Sequence, residues 1–231
     1  VGLEGKAYPG VINIHDTENI HIENCRFGRN LGSEDVLHMA YVKGLAISDT
    51  RVEHAAKDAF DLEFVDGKMN RVQVIRAGDE ALDLMASRLE VTDSVLLACG
   101  GNAVSAGEES ELRLRDVLIA KSKVGVLAKN ASSVDLIEAL LYRNNIGLRI
   151  YRRAVRYQGD SRVNADGLFV VGSEQTIKTD KESREGLIAG HLQIRLPHKG
   201  GLRQLMNNVL GLEGPEKLDA WLDAQLGEPA P

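Results

Sequence analysis

The sequence predicts an all-β fold, a parallel β-helix of about six to seven coils followed by a C-terminal α-helical cap or flank. The first observation is a four-residue pattern, small–apolar–variable–apolar, that returns every 22 residues. This alternation is typical of a strand with one buried face, and a fixed interval of this size indicates one unit stacked on itself. The five copies are Ala59–Leu62, Ala81–Leu84, Ala103–Ala106, Gly125–Ala128 and Gly147–Ile150.

A second pattern, apolar–x–polar–small–x–apolar, lies at a near-constant distance before each of these strands. Each repeat therefore holds two or three short strands separated by Gly-, Asn- and Asp-rich corners, and it is too short to hold a crossover helix as well. Equivalent strands of successive coils must then pair directly, as they do in a parallel β-helix. The six copies begin at Ile22, Ile47, Met69, Val91, Leu114 and Leu136.

Stacking the repeats in this register predicts which columns of side chains point inward. Two apolar columns and one column of small residues result, and Cys25 opens the small column as a core residue. Cys25 and Cys99 lie about three coils apart in different columns, so we expect no disulfide between them. The predicted inward columns are Phe60, Leu82, Val104, Val126, Leu148; Leu62, Leu84, Ala106, Ala128, Ile150, with Leu37 and Met39 opening these series; and Cys25, Thr50, Val72, Ser94, Val117, Ala139.

These repeats resemble those of the pectate-lyase-like superfamily, whose right-handed parallel β-helices carry the signature apolar–x–Asn–Cys/Ser–x–apolar, matched here by Ile22–Phe27. The resemblance covers residues 11–170 and implies a right-handed parallel β-helix. It also implies a carbohydrate-active or carbohydrate-binding protein, acting on a polysaccharide as a lyase, hydrolase or epimerase. Non-catalytic adhesins share the fold, so the fold alone does not specify an activity.

A narrower resemblance is to a bacterial group in which such a β-helix accompanies a kinase-like domain of the spore-coat protein H type. It implies a neighbouring domain in a longer parent chain, and with it an alternative function as a non-catalytic scaffold or adhesin-like rod. The matching segments are Asp58–Asp61, Gly78–Asp83, Ser105–Glu108 and Ala128–Lys129.

The 22-residue register ends after Tyr151, and the composition divides the chain into two parts. We expect the β-helix to occupy residues 1–171 and a linker plus a cap segment to occupy 172–231. The charged stretch 172–185 predicts a loop or linker, and alternation at Leu192–Leu196 predicts a strand. Two amphipathic helices follow, one with an apolar stripe from Leu202 to Leu210 and one opened by Pro215.

Composition excludes several partners. The net charge is −6, which gives no reason to expect a nucleic acid, and no apolar run is long enough for membrane insertion. No signal peptide is visible, and the chain begins at Val1 rather than at Met, so we expect a processed or excised piece. The localisation expected is extracytoplasmic: secreted, periplasmic or at the cell surface.

The candidate functional site is a pair of outward columns, which we call the ladder face. Acids occupy its early coils and cations its late coils. The first column is His38, Asp61, Asp83, Ser105, Leu127, Arg149, and the second is Ala40, Glu63, Met85, Gly107, Lys129, Tyr151.

Stacked coils would place Asp61 and Asp83 about 4.8 Å apart at their Cα atoms, and two carboxylates this close repel unless a cation or a proton intervenes. One solution is Ca²⁺ held by Asp61, Glu63, Asp79 and Asp83. The other is a shared proton that leaves one carboxyl neutral and its neighbour ionised for acid–base chemistry.

The ladder face therefore suits an acidic polysaccharide. The candidate catalytic residues are Asp61, Asp83, Lys129, Arg149 and Tyr151, and the candidate substrate-binding residues are His38, Ser105 and Glu108. Two alternatives stay open. The corner acids Asp58, Asp79 and Glu80 are also expected to hydrogen-bond backbone N–H groups, and the cations are also consistent with ordinary solvated side chains.

Overall fold

A computed structural model describes residues 10–30, 32–151, 157, 159–179, 190–195 and 200–227, the segment 190–195 by its backbone. Eighteen strands and two α-helices follow one another in these residues. The strands are β1 Gly10–Glu18, β2 His21–Glu23, β3 Arg26–Phe27, β4 Asp35–Ser48, β5 Arg51–Ala55, β6 Phe60–Asn70, β7 Gln73–Ala77, β8 Leu82–Met85, β9 Arg88–Leu97, β10 Asn102–Gly107, β11 Glu111–Ala120, β12 Val124–Lys129, β13 Ser133–Tyr142, β14 Ile146–Tyr151, β15 Ser161–Asp166, β16 Phe169–Val171, β17 Gln175–Thr179 and β18 Gly190–Arg195. The helices are α1 Gly201–Leu210 and α2 Leu218–Gln225, and a 3₁₀ turn, Pro215–Lys217, precedes α2.

The strands form a parallel β-solenoid of about six turns with ~22-residue spacing, as the sequence predicts. The strand pairs of the described residues are parallel, and each pair joins one coil to the next. One face stacks β4, β6, β8, β10, β12, β14 and β17, and another stacks β9, β11, β13, β15 and β18.

The predicted inward columns form the core. Phe60, Leu82, Val104, Val126 and Leu148 are fully buried, as are Leu37, which opens this column, and Met39, which opens the neighbouring one. In the column of small residues, Thr50, Val72, Ser94, Val117 and Ala139 are at most 1% exposed. Cys25 is only partly buried at the end of that column, and both cysteines are free.

The recurring Asn and Asp residues have a backbone explanation. The third residue of each copy of the second sequence pattern adopts a left-handed conformation, with φ between 48° and 53°. Asn and Asp tolerate this conformation better than other non-glycine residues, so they recur at the corner where each coil bends. The six corner residues are Asn24, Asp49, Arg71, Asp93, Asp116 and Glu138.

The C-terminal helices pack against the side of the solenoid. Leu205 and Met206 of α1 and Leu218 and Leu222 of α2 form a second apolar core with outward residues of the solenoid strands. Those solenoid residues are Ile75, Val95, Leu97, Leu118, Ala120 and Leu140. This lateral cover explains why these strands carry apolar side chains on both faces.

The stretch expected to be a linker contains a strand. Gln175–Thr179 pairs in parallel with β14 and so extends the ladder face by one coil, because an open strand edge offers unpaired N–H and C=O groups. The remainder of that stretch, from residue 180 to 185, lies outside the described residues. The predicted strand near Leu192 is present as β18, and its last predicted residue, Leu196, also lies outside them.

Candidate functional site

The ladder face has the predicted register. His38, Asp61, Asp83, Ser105, Leu127 and Arg149 are successive parallel partners, and so are Ala40, Glu63 and Met85 in the second column. Lys129 pairs with Tyr151 at the late end. Asp61 and Arg149, which are four coils apart, therefore lie on one surface.

The acid end gathers His38, Asp61 and Glu63. One potential metal-ligand atom from each of the three lies within 4.8 Å of the others. His38 Nε2 is 3.7 Å from Asp61 Oδ2, and His38 Nδ1 is 3.2 Å from His15 Nε2. His38 is only 7% exposed, so it is a buried residue and not the surface residue that its place in an outward column suggests.

Crowding shifts the protonation equilibria of this end. Burial, followed by the negative charges of Asp35 and Asp83, raises the pKa of Asp61 from 3.8 to about 7. Burial, followed by the charge of Asp58, raises the pKa of Asp35 to about 6. Burial and the neighbouring His15 lower the pKa of His38, although the charge of Glu63 opposes them. A proton or a cation must therefore compensate the negative charge here at neutral pH.

A second acidic group lies at the corner before the ladder strands. Potential ligand atoms of Asp58, Asp79 and Glu80 lie within 4.8 Å of one another. Asp58 Oδ1 accepts a hydrogen bond from the Glu80 backbone N–H at 2.7 Å, and Glu80 Oε1 accepts one from Asn102 Nδ2 at 2.6 Å. Burial and the Asp58 charge raise the pKa of Glu80, so this buried carboxyl also favours its neutral form.

The four residues expected to hold one Ca²⁺ do not form a single group. Asp61 and Glu63 belong to the group with His38, and Asp79 belongs to the corner group. Asp83 belongs to neither group, although its charge raises the pKa of both Asp61 and Asp58. Asp58 and Glu80 of the corner group accept hydrogen bonds from the next coil. This is a structural role, which is the alternative interpretation of the corner acids in the sequence.

The middle of the ladder face is less open than the small residues there suggest. Ser105 is fully buried, and its hydroxyl makes no hydrogen bond to the described residues. A Cβ on Gly107 would lie 2.5 Å from Lys129 Cε, so the Lys129 side chain lies across Gly107 toward the acid end. Glu108 Oε1 accepts a hydrogen bond from Asn130 Nδ2 at 2.7 Å, which places this candidate substrate ligand in a bond between coils.

The basic end is larger than the sequence indicates. The Arg149 guanidinium lies 4.6 Å from the ring centroid of Tyr151, and Lys178 on β17 continues the Arg149 column. Four coil steps separate Asp61 from Arg149, or about 19 Å at ~4.8 Å per coil. The five candidate catalytic residues therefore cannot all act on one bond, because acid–base groups work within hydrogen-bond reach of the reacting atom.

An exposed aromatic pair borders the acid end. Tyr41 and Phe64 directly follow Ala40 and Glu63, and their rings stack in parallel with centroids 4.8 Å apart. They are 55% and 42% exposed, and both have positive φ values, 58° and 55°, which bulky residues rarely adopt. Extending the repeat alignment by one residue would have placed the two rings in one column.

A concavity of about 780 Å³ lies on another face. Four of its charged side chains form two ion pairs: Arg88 contacts Glu111 at 2.9 Å, and Arg113 contacts Asp135 at 3.3 Å. Paired charges offer less to a ligand than the carboxylates of the ladder face, so the ladder face is the stronger candidate site.

Comparison of the chain with protein-family models, with curated proteins and with solved structures returned no match. The site is therefore interpreted from its own geometry. In the described part of the chain, neither helix is long and apolar enough to cross a membrane.

Proposed function

We propose that the ladder face binds an acidic polysaccharide lengthwise, and that its acid end is where sugar units are cleaved or epimerised. The observation that carries the proposal is the unbroken register that places carboxylates at one end of a straight column and cations at the other. The resemblance of the repeats to the pectate-lyase-like superfamily supports the same class of substrate.

The basic end supports recognition of carboxylates on the glycan. Lys129, Arg149 and Lys178 come from three successive coils of the same face. Arg and Lys side chains bind carboxylates through charge-assisted hydrogen bonds, and a row of them along one axis suits a polymer with regularly spaced negative charges. We propose that consecutive sugar carboxylates lie against this row.

The aromatic pair supports recognition of the sugar ring itself. Phe64 stacks on Tyr41, and the equivalent position of the next coil, directly after Met85, is Ala86, whose side chain is a single methyl group. An exposed ring face beside a small residue leaves space for a pyranose to stack, and the neighbouring Glu63 can accept hydrogen bonds from its hydroxyl groups.

The acid end supports chemistry rather than simple recognition. An acidic sugar above Asp61 and Asp83 would be repelled unless a cation lies between the carboxylates. A cation in that position would both hold the sugar carboxylate and withdraw charge from the carbon beside it, which makes a proton on that carbon easier to remove. Asp83 lies on the adjacent coil, where it can exchange a proton with the sugar.

The test compares acidic and neutral polysaccharides. Binding of uronic-acid polymers is measured by affinity electrophoresis and calorimetry, and turnover is followed by the release of reducing or unsaturated ends. Wild type should bind uronic-acid polymers and not neutral glucans. Lys129→Ala should weaken that binding about tenfold or more, which corresponds to the loss of one charge-assisted contact.

Lys68→Ala is the matched control, because Lys68 is an exposed lysine of β6 in the column of Glu90, away from the ladder face. Its binding should equal that of wild type. Asp83→Asn should bind the polymer and lose turnover. If no acidic polymer binds, or if Lys68→Ala weakens binding as much as Lys129→Ala does, the proposed function is wrong and a non-catalytic scaffold is favoured.

A further inference from the structure

We propose that His38, Asp61 and Glu63 bind a first-row divalent transition metal such as Zn²⁺, with an open coordination position toward the ladder face. The three side chains come from adjacent strands, His38 from β4 and the two acids from β6. The site deepens the proposed function, because the metal supplies the cation that an acidic sugar needs above these carboxylates.

The separation between His38 and Asp61 fits a shared metal better than a direct bond. Their closest atoms, Nε2 and Oδ2, are 3.7 Å apart, which is too far for a hydrogen bond. Two ligands that each lie about 2.1 Å from a tetrahedral metal are separated by about 3.4 Å. The third ligand, Glu63, is within 4.8 Å of both, so a small rotation of its side chain completes the set.

His38 is also held as a metal-binding histidine is. Its side chain is only 9% exposed, and its ring nitrogen Nδ1 lies 3.2 Å from His15 Nε2. A ligating histidine usually donates its second N–H to a neighbour, which fixes the ring and its tautomer. If Nδ1 carries the proton, Nε2 keeps its lone pair for a metal, and Nε2 lies 3.7 Å from Asp61 Oδ2, beyond hydrogen-bond reach.

The donor atoms select the class of metal. Ca²⁺ is bound by six to eight oxygens, whereas an imidazole nitrogen with two carboxylates is typical of Zn²⁺, Fe²⁺ or Mn²⁺. Three protein ligands leave at least one position for water or substrate, as in catalytic zinc sites. Asp61 is 23% exposed at its side chain, so that position can face solvent and receive a sugar carboxylate.

The corner group Asp58, Asp79 and Glu80 provides the contrast within the same chain. It has no histidine, and hydrogen bonds from the Glu80 N–H and from Asn102 already occupy two of its carboxylates. We therefore assign the metal to the His38 group alone.

The experiment uses the whole chain, freed of metal with a chelator, and no glycan. Zn²⁺, Co²⁺ and Ca²⁺ are titrated separately by calorimetry, and the visible absorption of Co²⁺ reports nitrogen and oxygen ligation. We expect one Zn²⁺ per chain, bound at least 100-fold more tightly than Ca²⁺. His38→Gln and Glu63→Gln should each weaken Zn²⁺ binding 10- to 100-fold, whereas His21→Gln, which changes an exposed histidine on β2, should not.

Glu63→Gln keeps the test decisive if the buried His38 variant does not fold, because Glu63 is only partly buried. Absence of Zn²⁺ binding, equal affinity for Zn²⁺ and Ca²⁺, or unchanged affinity in Glu63→Gln would overturn the assignment. Because no glycan is present, this result is independent of the polysaccharide test: metal can bind where no polymer does, and a polymer can bind where no metal does.

Discussion

Replacing Asp61 with Asn is expected to stabilise the solenoid at pH 8 and to stabilise it much less at pH 5. The pKa of Asp61 is raised from 3.8 to about 7, first by burial and then by Asp35, Asp83 and Glu63. One pKa unit corresponds to about 1.4 kcal/mol, so ionised Asp61 costs the folded state at most about 4 kcal/mol above pH 7. Its side chain is 23% exposed, and solvent screening reduces the expected gain to roughly 1–3 kcal/mol.

The change of stability with pH has a sign that follows from the raised pKa of Asp61. The stability associated with Asp61 is fully present below its ordinary value of 3.8 and is lost as the pH rises through about 7. His38 acts in the opposite sense: its pKa is lowered, so its contribution is present above 6.5 and is lost as the pH falls. Both proteins contain His38, so the difference between wild type and variant isolates Asp61.

The assay is urea unfolding followed by circular dichroism at pH 5, 6, 7 and 8, with a chelator present. Asp66→Asn is the control, because Asp66 is an exposed aspartate on the same strand, and its effect should stay within about 0.5 kcal/mol. An Asp61→Asn variant no more stable than wild type at pH 8, or one with the same gain at pH 5 and pH 8, would refute the reasoning.

Two further predictions concern the coil architecture. Ser94→Ala should lower the free energy of unfolding by about 1–3 kcal/mol, because the buried Ser94 hydroxyl accepts a hydrogen bond from the Val72 N–H. Ser105→Ala should leave the free energy of unfolding unchanged or raise it, because the buried Ser105 hydroxyl has no partner among the described residues. Chemical denaturation of both variants checks this, and equal losses would contradict it. Gly100→Ala should lower the free energy of unfolding by about 2 kcal/mol or more, because its Cβ would lie 2.2 Å from a backbone carbonyl oxygen of the previous coil. Gly28→Ala is the control, because a Cβ at that position meets nothing within 4 Å. A shift in melting temperature for Gly28→Ala as large as that for Gly100→Ala would contradict this.

The ladder face was predictable where the repeat interval is constant. Asp61, Asp83 and Ser105 are each 22 residues apart, so their register follows from counting once direct pairing of the coils is assumed. The inward alternation is predictable for the same reason. Successive side chains of a strand point to opposite faces, so the apolar residues on either side of an outward residue must point into the core.

The parts that sequence reasoning missed lie where the interval changes or where the environment is set by other columns. His15 pairs with Ala40, 25 residues later, and Arg149 pairs with Lys178, 29 residues later. A constant 22-residue interval therefore predicts neither of these pairings. The burial of His38 and Ser105 depends on side chains from neighbouring columns, which a single column of the repeat does not contain. Asp35 acts on Asp61 from the preceding coil without belonging to either ladder column.

Acids and cations from different coils form one proposed binding surface, and a series of uronic-acid oligosaccharides of increasing length tests this most directly. Dissociation constants are measured by calorimetry for each length with the metal held constant. Affinity should rise with length until the oligosaccharide spans the four coil steps from Asp61 to Arg149, about 19 Å, and then level off. A monosaccharide that binds as tightly as the longest oligosaccharide, or no binding at any length, would contradict it.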